Sequence, residues 1–323
     1  MRYLLGLALA LLLTASVAET PGRMSTITFA PIQLDLDRPE RRQFDSLRLL
    51  GAWRLTSENH AFGGISSLHV ANGDVLALGD SGEAFRFYFD GVQPTSRLRA
   101  RGLPSLNGRV KGMPDVDSES MAVDPRTGRI FVGFETSNAV RAYTPGFGRK
   151  LAAARPRLMR HWPENGGSEA MARLADGRFV VFGEQAKGPD GTTEAILFPG
   201  DPVTHRREGI RFYYTPPTDF FATDAAQLPD GRLLVLNRHF SIFDGLAAAV
   251  TLFDPRDIAR DRIIKPRLIA RLSPPLGIDN MEGLSVEQGK AGEVVVWIIS
   301  DDNFIPLQRT LLLKFALDPA LIR

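Results

Sequence analysis

Five times along the 323-residue chain, a short apolar segment is followed by a turn and a second apolar segment. The copies are GGISSLHVANGDVLALGDSG from Gly63, DSESMAVDPRTGRIFVGFET from Asp117, GGSEAMARLADGRFVVFGEQ from Gly166, ATDAAQLPDGRLLVLNRHF from Ala222 and NMEGLSVEQGKAGEVVVWIISDDNF from Asn280. Each half is strand-length. Asn72-Gly73, Asp176-Gly177 and Asp230-Gly231 supply the positive φ that tight hairpins need, and Asp124-Pro125-Arg126-Thr127-Gly128 reads as a slightly longer loop. Apolar residues dominate both segments of each copy, so these strands are expected to be covered on both faces.

The copies start about 50 to 58 residues apart, near the upper end of propeller-blade length. Two more strands fit each interval. Ala84 to Phe89, Ala139 to Tyr143, Glu194 to Phe198 and Val250 to Phe253 suit a third strand, and the Pro-Arg-Leu text before the third and fifth copies suits a fourth. Leu47 to Leu55 precedes the first copy in the same way. It would complete the final blade, whose own third strand is Thr310 to Ala316, and so leave no long exposed sheet edge. The expected fold is all-β: a β-propeller of four-stranded blades, five by count, closed by the N-terminal strand. Six blades, one disguised by insertions, and an open solenoid are the alternatives. The only helix-like text is Leu151 to Arg155 and the N-terminus.

That N-terminus, MRYLLGLALALLLTASVAE, has a basic start, an apolar stretch from Leu4 to Leu13 and small residues at Ser16 and Ala18. The stretch is short for a membrane span, so residues 1–18 read as an export signal, with a retained anchor as the alternative. Residues 19–46 form an N-terminal extension and 47–323 the propeller. No second long apolar stretch follows, so the mature chain is expected to carry no transmembrane segment and to be periplasmic or secreted. Absence of cysteine excludes disulfides and thiolate metal sites. A net charge of only +2 with no dense basic run argues against nucleic-acid binding. A closed propeller has no need of a partner for its edges, so a monomer is expected.

In a propeller, the start of each first strand and the end of each second strand share one face. Aligning the copies puts Ser66, Glu119, Glu169, Asp224 and Glu282 at the first position, and Asp80, Glu135, Glu184, Arg238 and Asp301 at the second, with Asp302 adjacent. Any one acid there is as readily a cap or a solvated strand end. Together they are harder to dismiss, because two like charges ~8 Å apart cost on the order of 2 kcal/mol at an effective dielectric near 20. Such a ring must take up protons, pair with arginine or bind a cation. Oxygen-only ligands favour a hard ion, calcium before magnesium. Glu119, Glu169, Asp224, Glu282, Asp80 and Asp301 are the candidate ligands. Glu135, Glu184 or Asp302 would serve as proton acceptor, and Arg238 or Arg309 would steady developing negative charge.

Other chemistry has less support. His60, His69, His161, His205 and His239 show no zinc spacing, and the GxSxG elbow and the GxxxxGK loop are missing. Gly79-Asp80-Ser81-Gly82 looks like protease nucleophile text but lies at a repeat's strand end without partners.

FGGISSL, DSESMAV, GGSEAMA, and especially NMEGLSV followed by IISDDNF and QRTLLLKF, resemble the phytase-like family of exported bacterial proteins, described by an esterase-like activity of phytase. The resemblance implies a propeller. By analogy with β-propeller phytases, it implies calcium-assisted hydrolysis of a small phosphate ester or other ester at an acidic channel mouth. A lactonase-type propeller hydrolase and a non-catalytic envelope scaffold holding a structural ion are the alternatives.

Overall fold

The computed structural model describes residues 23–104, 117–289 and 291–321; the expected export signal lies outside them. Three strands precede the first repeat: β1 (Arg23–Pro31), β2 (Gln43–Phe44) and β3 (Leu47–Ser57). The first repeat folds as β4 (Ile65–Ala71), β5 (Asp74–Gly79), β6 (Glu83–Tyr88) and β7 (Thr95–Gly102). The second comprises β8 (Ser118–Val123), β9 (Ile130–Phe134), β10 (Ala139–Tyr143) and β11 (Lys150–Ala154). The third comprises β12 (Ser168–Arg173), β13 (Phe179–Lys187), β14 (Thr193–Phe198) and β15 (Ile210–Tyr214). In the fourth, β16 (Phe221–Gln227), β17 (Leu233–Ser241) and β18 (Gly245–Phe253) are joined by β19 (Ile263–Ile264) to β20 (Arg267–Leu272). The fifth has β21 (Asn280–Gln288), β22 (Val294–Asp301) and β23 (Leu311–Leu317). Each is an antiparallel meander, except that β19 leaves the fourth repeat to pair parallel with β15 at the edge of the third, and the described residues contain no α-helix.

The first strands β4, β8, β12, β16 and β21 are neighbours in a closed cycle, which makes the molecule a β-propeller. Its core is correspondingly divided among the junctions between adjacent blades. Leu78, Ala84, Val132 and Phe134 fill the junction of the first and second repeats, and Phe131, Met171, Val181 and Ile196 that of the second and third. Phe182, Tyr214, Leu233 and Val235 fill the next, followed by Leu236, Val250, Met281 and Leu313, then Ile65, Phe85, Trp297 and Leu312. Every blade therefore buries both faces, as the continuous apolar runs require.

β3 pairs antiparallel with β23, from Leu311 opposite Arg54 to Leu317 opposite Leu47, completing the fifth blade as expected. The pattern reading placed no strand in residues 19–46, yet β1 pairs with both β3 and β7, welding the last blade to the first as one sheet. Its alternation is plain once seen, with Ile27 and Phe29 buried between exposed Thr26, Thr28 and Ala30. Two further expectations change. Pro-Arg-Leu before the third copy is not a strand but a 3-10 turn at Arg157–Met159, tied by Arg157 N to the Arg206 carbonyl, that carries Met159 and Trp162 into the core. The helix-like text after Lys150 is instead the fourth strand β11, because pairing with β10 and burial of Ala154 outweigh alanine's modest helix preference.

Polar side chains fasten the ring near its axis. Ser66 Oγ donates to the Ser118 carbonyl (2.7 Å), Ser120 Oγ to the Ser168 carbonyl (3.3 Å) and Thr223 Oγ1 to the Met281 carbonyl (3.2 Å). Val70 N donates to Ser285 Oγ (2.9 Å), closing the fifth blade onto the first.

Candidate functional site

All five first strands carry a register shift at the same place: between Ile65 and Ser67, Ser118 and Ser120, Ser168 and Ala170, Ala222 and Asp224, and Met281 and Gly283. A bulge leaves one residue unpaired and re-aims its side chain. The residues so placed are Ser66, Glu119, Glu169, Thr223 and Glu282. The expected set is thus corrected at one position. Matching the copies by charge selected Asp224, but the backbone puts Thr223 there. Asp224 points instead into the channel interior, 1% exposed, where its Oδ2 accepts from Ser67 Oγ (3.1 Å) and Leu284 N (2.8 Å). Burial holds its carboxyl well above the ordinary range. It is a structural link across the ring, outside both carboxylate triads.

The second-strand ends come back beside these bulges. Glu135 N donates to the Asp117 carbonyl (2.9 Å), Glu184 N to the Gly167 carbonyl (3.0 Å), and Asn280 pairs with Asp301. Two groups of carboxylates result: Asp117, Glu119 and Glu135, and then Glu135, Glu169 and Glu184. Within each, one oxygen per residue lies within 4.8 Å of the others, and Glu135 belongs to both. At that spacing two full charges repel by about 3 kcal/mol at an effective dielectric near 20. Burial pushes Glu119 and Glu169 well above the usual carboxylate range, and neighbouring acids add to it: Glu282 and Asp117 for Glu119, Glu119 and Glu184 for Glu169. Burial also raises Glu135, although Gly166 N donates to its Oε1.

Asp117 opens this cluster and was missed, because the repeat alignment assigned it no role. It stands two residues before Glu119, and Thr136 Oγ1 fixes its Oδ2 (2.5 Å).

The other side of the rim is compensated. Arg238 Nη2 donates to Glu184 Oε1 (2.6 Å), its Nη1 to Asn280 Oδ1 (3.3 Å), and its Nε lies 3.1 Å from Glu282 Oε1. Asn280 Nδ2 donates to the same Glu282 oxygen (2.9 Å). Glu282 beside it, together with Glu184 and Glu169, holds the guanidinium firmly charged. Burial still pushes Glu282 up to about 8 and Asp301 to about 7. Asp80 is raised by burial, with Asp117 and Asp302 adding to it.

Two sequence candidates have structural work instead. Asp302 Oδ1 accepts from Gly64 N (3.0 Å) and Phe304 N (3.2 Å), and its Oδ2 from Thr310 Oγ1 (3.0 Å). The close packing depends on Gly64, whose φ is +58°; a Cβ there would lie 2.6 Å from Asp80 Oδ1 and 2.6 Å from the Phe304 ring. Arg309 clasps buried Asp279 (Nε to Oδ2, 3.3 Å) and donates from Nη2 to the Gly277 carbonyl (3.2 Å).

The donor set suits a hard divalent cation: oxygen only, in two carboxylate triads with a shared member. The fold and site thus define an all-β propeller with an acidic, cation-compatible cluster. The family described as "Phytase-like: Esterase-like activity of phytase" matches residues 60–304, and the chain belongs to it. That description makes it a hydrolase-like propeller with a small-molecule substrate. No curated protein matches. Among solved structures, Myxococcus xanthus glutaminyl cyclase is 12% identical with a TM-score of 0.48, over 84% of this chain and 97% of that one. A nidogen/laminin complex is 8% identical at 0.46, over 93% and 91%. Kuenenia stuttgartiensis hydrazine synthase is 13% identical at 0.40, with 76% of this chain spanning 59% of that one. No helix among the described residues is long and apolar enough to cross a membrane.

Proposed function

We propose that the protein is an exported, monomeric, calcium-dependent hydrolase of phosphoric esters acting at the acidic rim. The observation that carries this reading is Glu135 standing in two carboxylate triads at once, an arrangement suited to two neighbouring hard ions bridged by one side chain. Asp117, Glu119 and Glu135 would hold one, and Glu135, Glu169 and Glu184 the other. Bound there, calcium supplies Lewis acidity toward a phosphoryl oxygen. Arg238 is the guanidinium beside the triads. Each of its terminal nitrogens keeps a second N–H after bonding Glu184 and Asn280, and these can bind an anionic substrate oxygen. Gly166 N and Thr136 Oγ1 keep Glu135 and Asp117 oriented, so the ligand set is organised before substrate arrives. An exported location agrees with a rim open to ions outside the cytoplasm, where calcium modules typically work at Kd about 10⁻⁴–10⁻³ M.

Calcium titration by calorimetry, with release of 4-nitrophenol from 4-nitrophenyl phosphate, tests this directly. The expected result is saturable binding, a higher unfolding temperature with calcium, and hydrolysis abolished by chelator. Calcium binding without turnover of any ester would make the ion purely structural. Turnover of lactones or carboxylic esters but not phosphates would reassign the substrate class. No heat and no thermal shift would remove the reading altogether.

A further inference from the structure

All four exposed phenylalanines of the described residues, Phe221, Phe240, Phe243 and Phe304, lie on one side of this rim, in the adjacent fourth and fifth blades. Ile242 and Leu307 join them, at 82% and 92% exposure. Their loops grow straight out of the site. β17 continues three residues past Arg238 and turns back through Ser241–Gly245, while the β22–β23 loop begins directly after Asp301. Phe240 stands on the same face of β17 as Arg238, two residues on. His239, on the opposite face, stacks on Phe220 (5.2 Å) and hydrogen-bonds the Asp219 carbonyl through Nδ1 (2.7 Å). The second loop is pinned at its root by Asp302. Both roots are held and both tips are apolar.

Six side chains, four on the two loops and Phe221 and Phe240 on the strands beside them, are far short of the roughly 20–30 residues a side that a stable dimer interface uses. They flank Arg238, which bonds Glu184 of the second triad and keeps N–H groups for a phosphate. A ligand with a phosphate head and an alkyl tail uses both features. We propose that these two loops seat the hydrocarbon chain of an amphiphilic phosphoric ester, whose head group reaches the Glu135 triads, so that the substrate class is a lipid-like phosphate ester. This rests on the hydrolase reading above. In the step, a water oxygen bonds to phosphorus, the phosphorus–oxygen bond to the alcohol breaks, and the departing oxygen takes a proton from that water.

The test compares wild type with Phe240→Ser/Ile242→Ser/Phe243→Ser and with Phe304→Ser/Leu307→Ser, changes at exposed side chains of which only Phe304 also packs on Gly63 and Gly64. Two readouts are used in calcium: KM for 4-nitrophenyl phosphate esters of increasing alkyl chain length, and co-sedimentation with phosphatidylcholine vesicles doped with phosphatidic acid. Wild-type KM should fall as the chain lengthens. The triple variant should raise KM for the longest ester by about tenfold or more relative to the unsubstituted aryl phosphate, and lose vesicle binding. Hydrolysis with neither chain-length dependence nor vesicle binding overturns the lipid inference and leaves the hydrolase. Vesicle binding without hydrolysis of any ester overturns the hydrolase and leaves the lipid contact. Loop-dependent dimers in light scattering, or longer carboxylic esters preferred over phosphates, would overturn the assignment of tail or head.

Discussion

The second and third blades and the fourth and fifth blades offer the same backbone positions and treat charge in opposite ways. Asp117, Glu119, Glu135, Glu169 and Glu184 crowd one side, and among the described residues the cation that bonds one of them, Arg238, reaches Glu184 from the next blade. On the other side, Glu282 meets Arg238 and Asn280, and Asp279 meets Arg309. The repeat provides bulged positions aimed at the axis; the residues placed there decide whether a position is a finished ion pair or an unsatisfied demand for a cation.

Glu135→Gln tests that division most severely. It removes the carboxylate common to both triads, so calcium affinity should fall by at least about 100-fold, the upper end of what losing even a supporting group costs. Glu282→Gln, on the paired side, should cost less than about tenfold. Calorimetric titration of the two variants in parallel decides it; equal losses would erase the distinction between the sides.

Arg238→Met converts the paired side into an unpaired one. Glu184 and Glu282 are then left buried without their cation, which should destabilise the protein by about 3 kcal/mol in chelator. That is the low end for a broken buried pair, because the guanidinium is 28% exposed. Added calcium should stabilise this variant more than wild type, since its acids now resemble those of the second and third blades. Urea unfolding with and without calcium checks both statements. An unchanged midpoint in chelator would show that Arg238 neutralises nothing of consequence.

The propeller was legible because hairpin turns and two-faced apolar runs are local signals that recur. β1 was not, since it belongs to no repeat and its partners β3 and β7 come together only when the ring closes. The acids of the rim were legible as a set, but Asp224 and Asp117 show the limit. A bulge adds one residue to a strand, so aligning ATDAAQ on its charge instead of on Ala222 and Ala225 exchanged Thr223 for Asp224. Asp117 was readable from alternation, being two positions from Glu119. The structural contacts of Asp302 and Arg309 were not legible, because they are made to Gly64 and Asp279, 238 and 30 residues away.

Asp224 itself gives a smaller, pH-dependent prediction. Burial raises its folded-state pKa above the ordinary 3.8, so the folded protein holds a proton that the unfolded chain has released. The stability associated with this group is complete below about pH 4 and is lost as pH rises through the folded-state value. Asp224→Asn cannot ionise and removes that part of the slope, while its amide meets Leu284 N poorly and costs about 1–2 kcal/mol at low pH. Urea midpoints between pH 4 and 8 should therefore converge for the two proteins as pH rises. Parallel curves would mean that Asp224 is ionised in the folded state.

The smallest effect is expected at Arg309, and it separates a clasp from a substrate group. Asp279 is buried, but Asn280 N (3.1 Å) and Arg309 N (3.1 Å) donate to it from the backbone whatever the side chain at 309. Arg309→Ala thus leaves two of its hydrogen bonds in place and removes a guanidinium that is 36% exposed, so stability should fall by only about 1 kcal/mol. Calcium affinity and KM for 4-nitrophenyl phosphate should move less than about twofold, because the guanidinium is engaged by Asp279 and the Gly277 carbonyl and bonds no member of the Glu135 triads among the described residues. A rise in KM of tenfold with stability unaltered would place Arg309 on the substrate. The paired side of the rim would then be a working half of the site, no longer its inert counterpart.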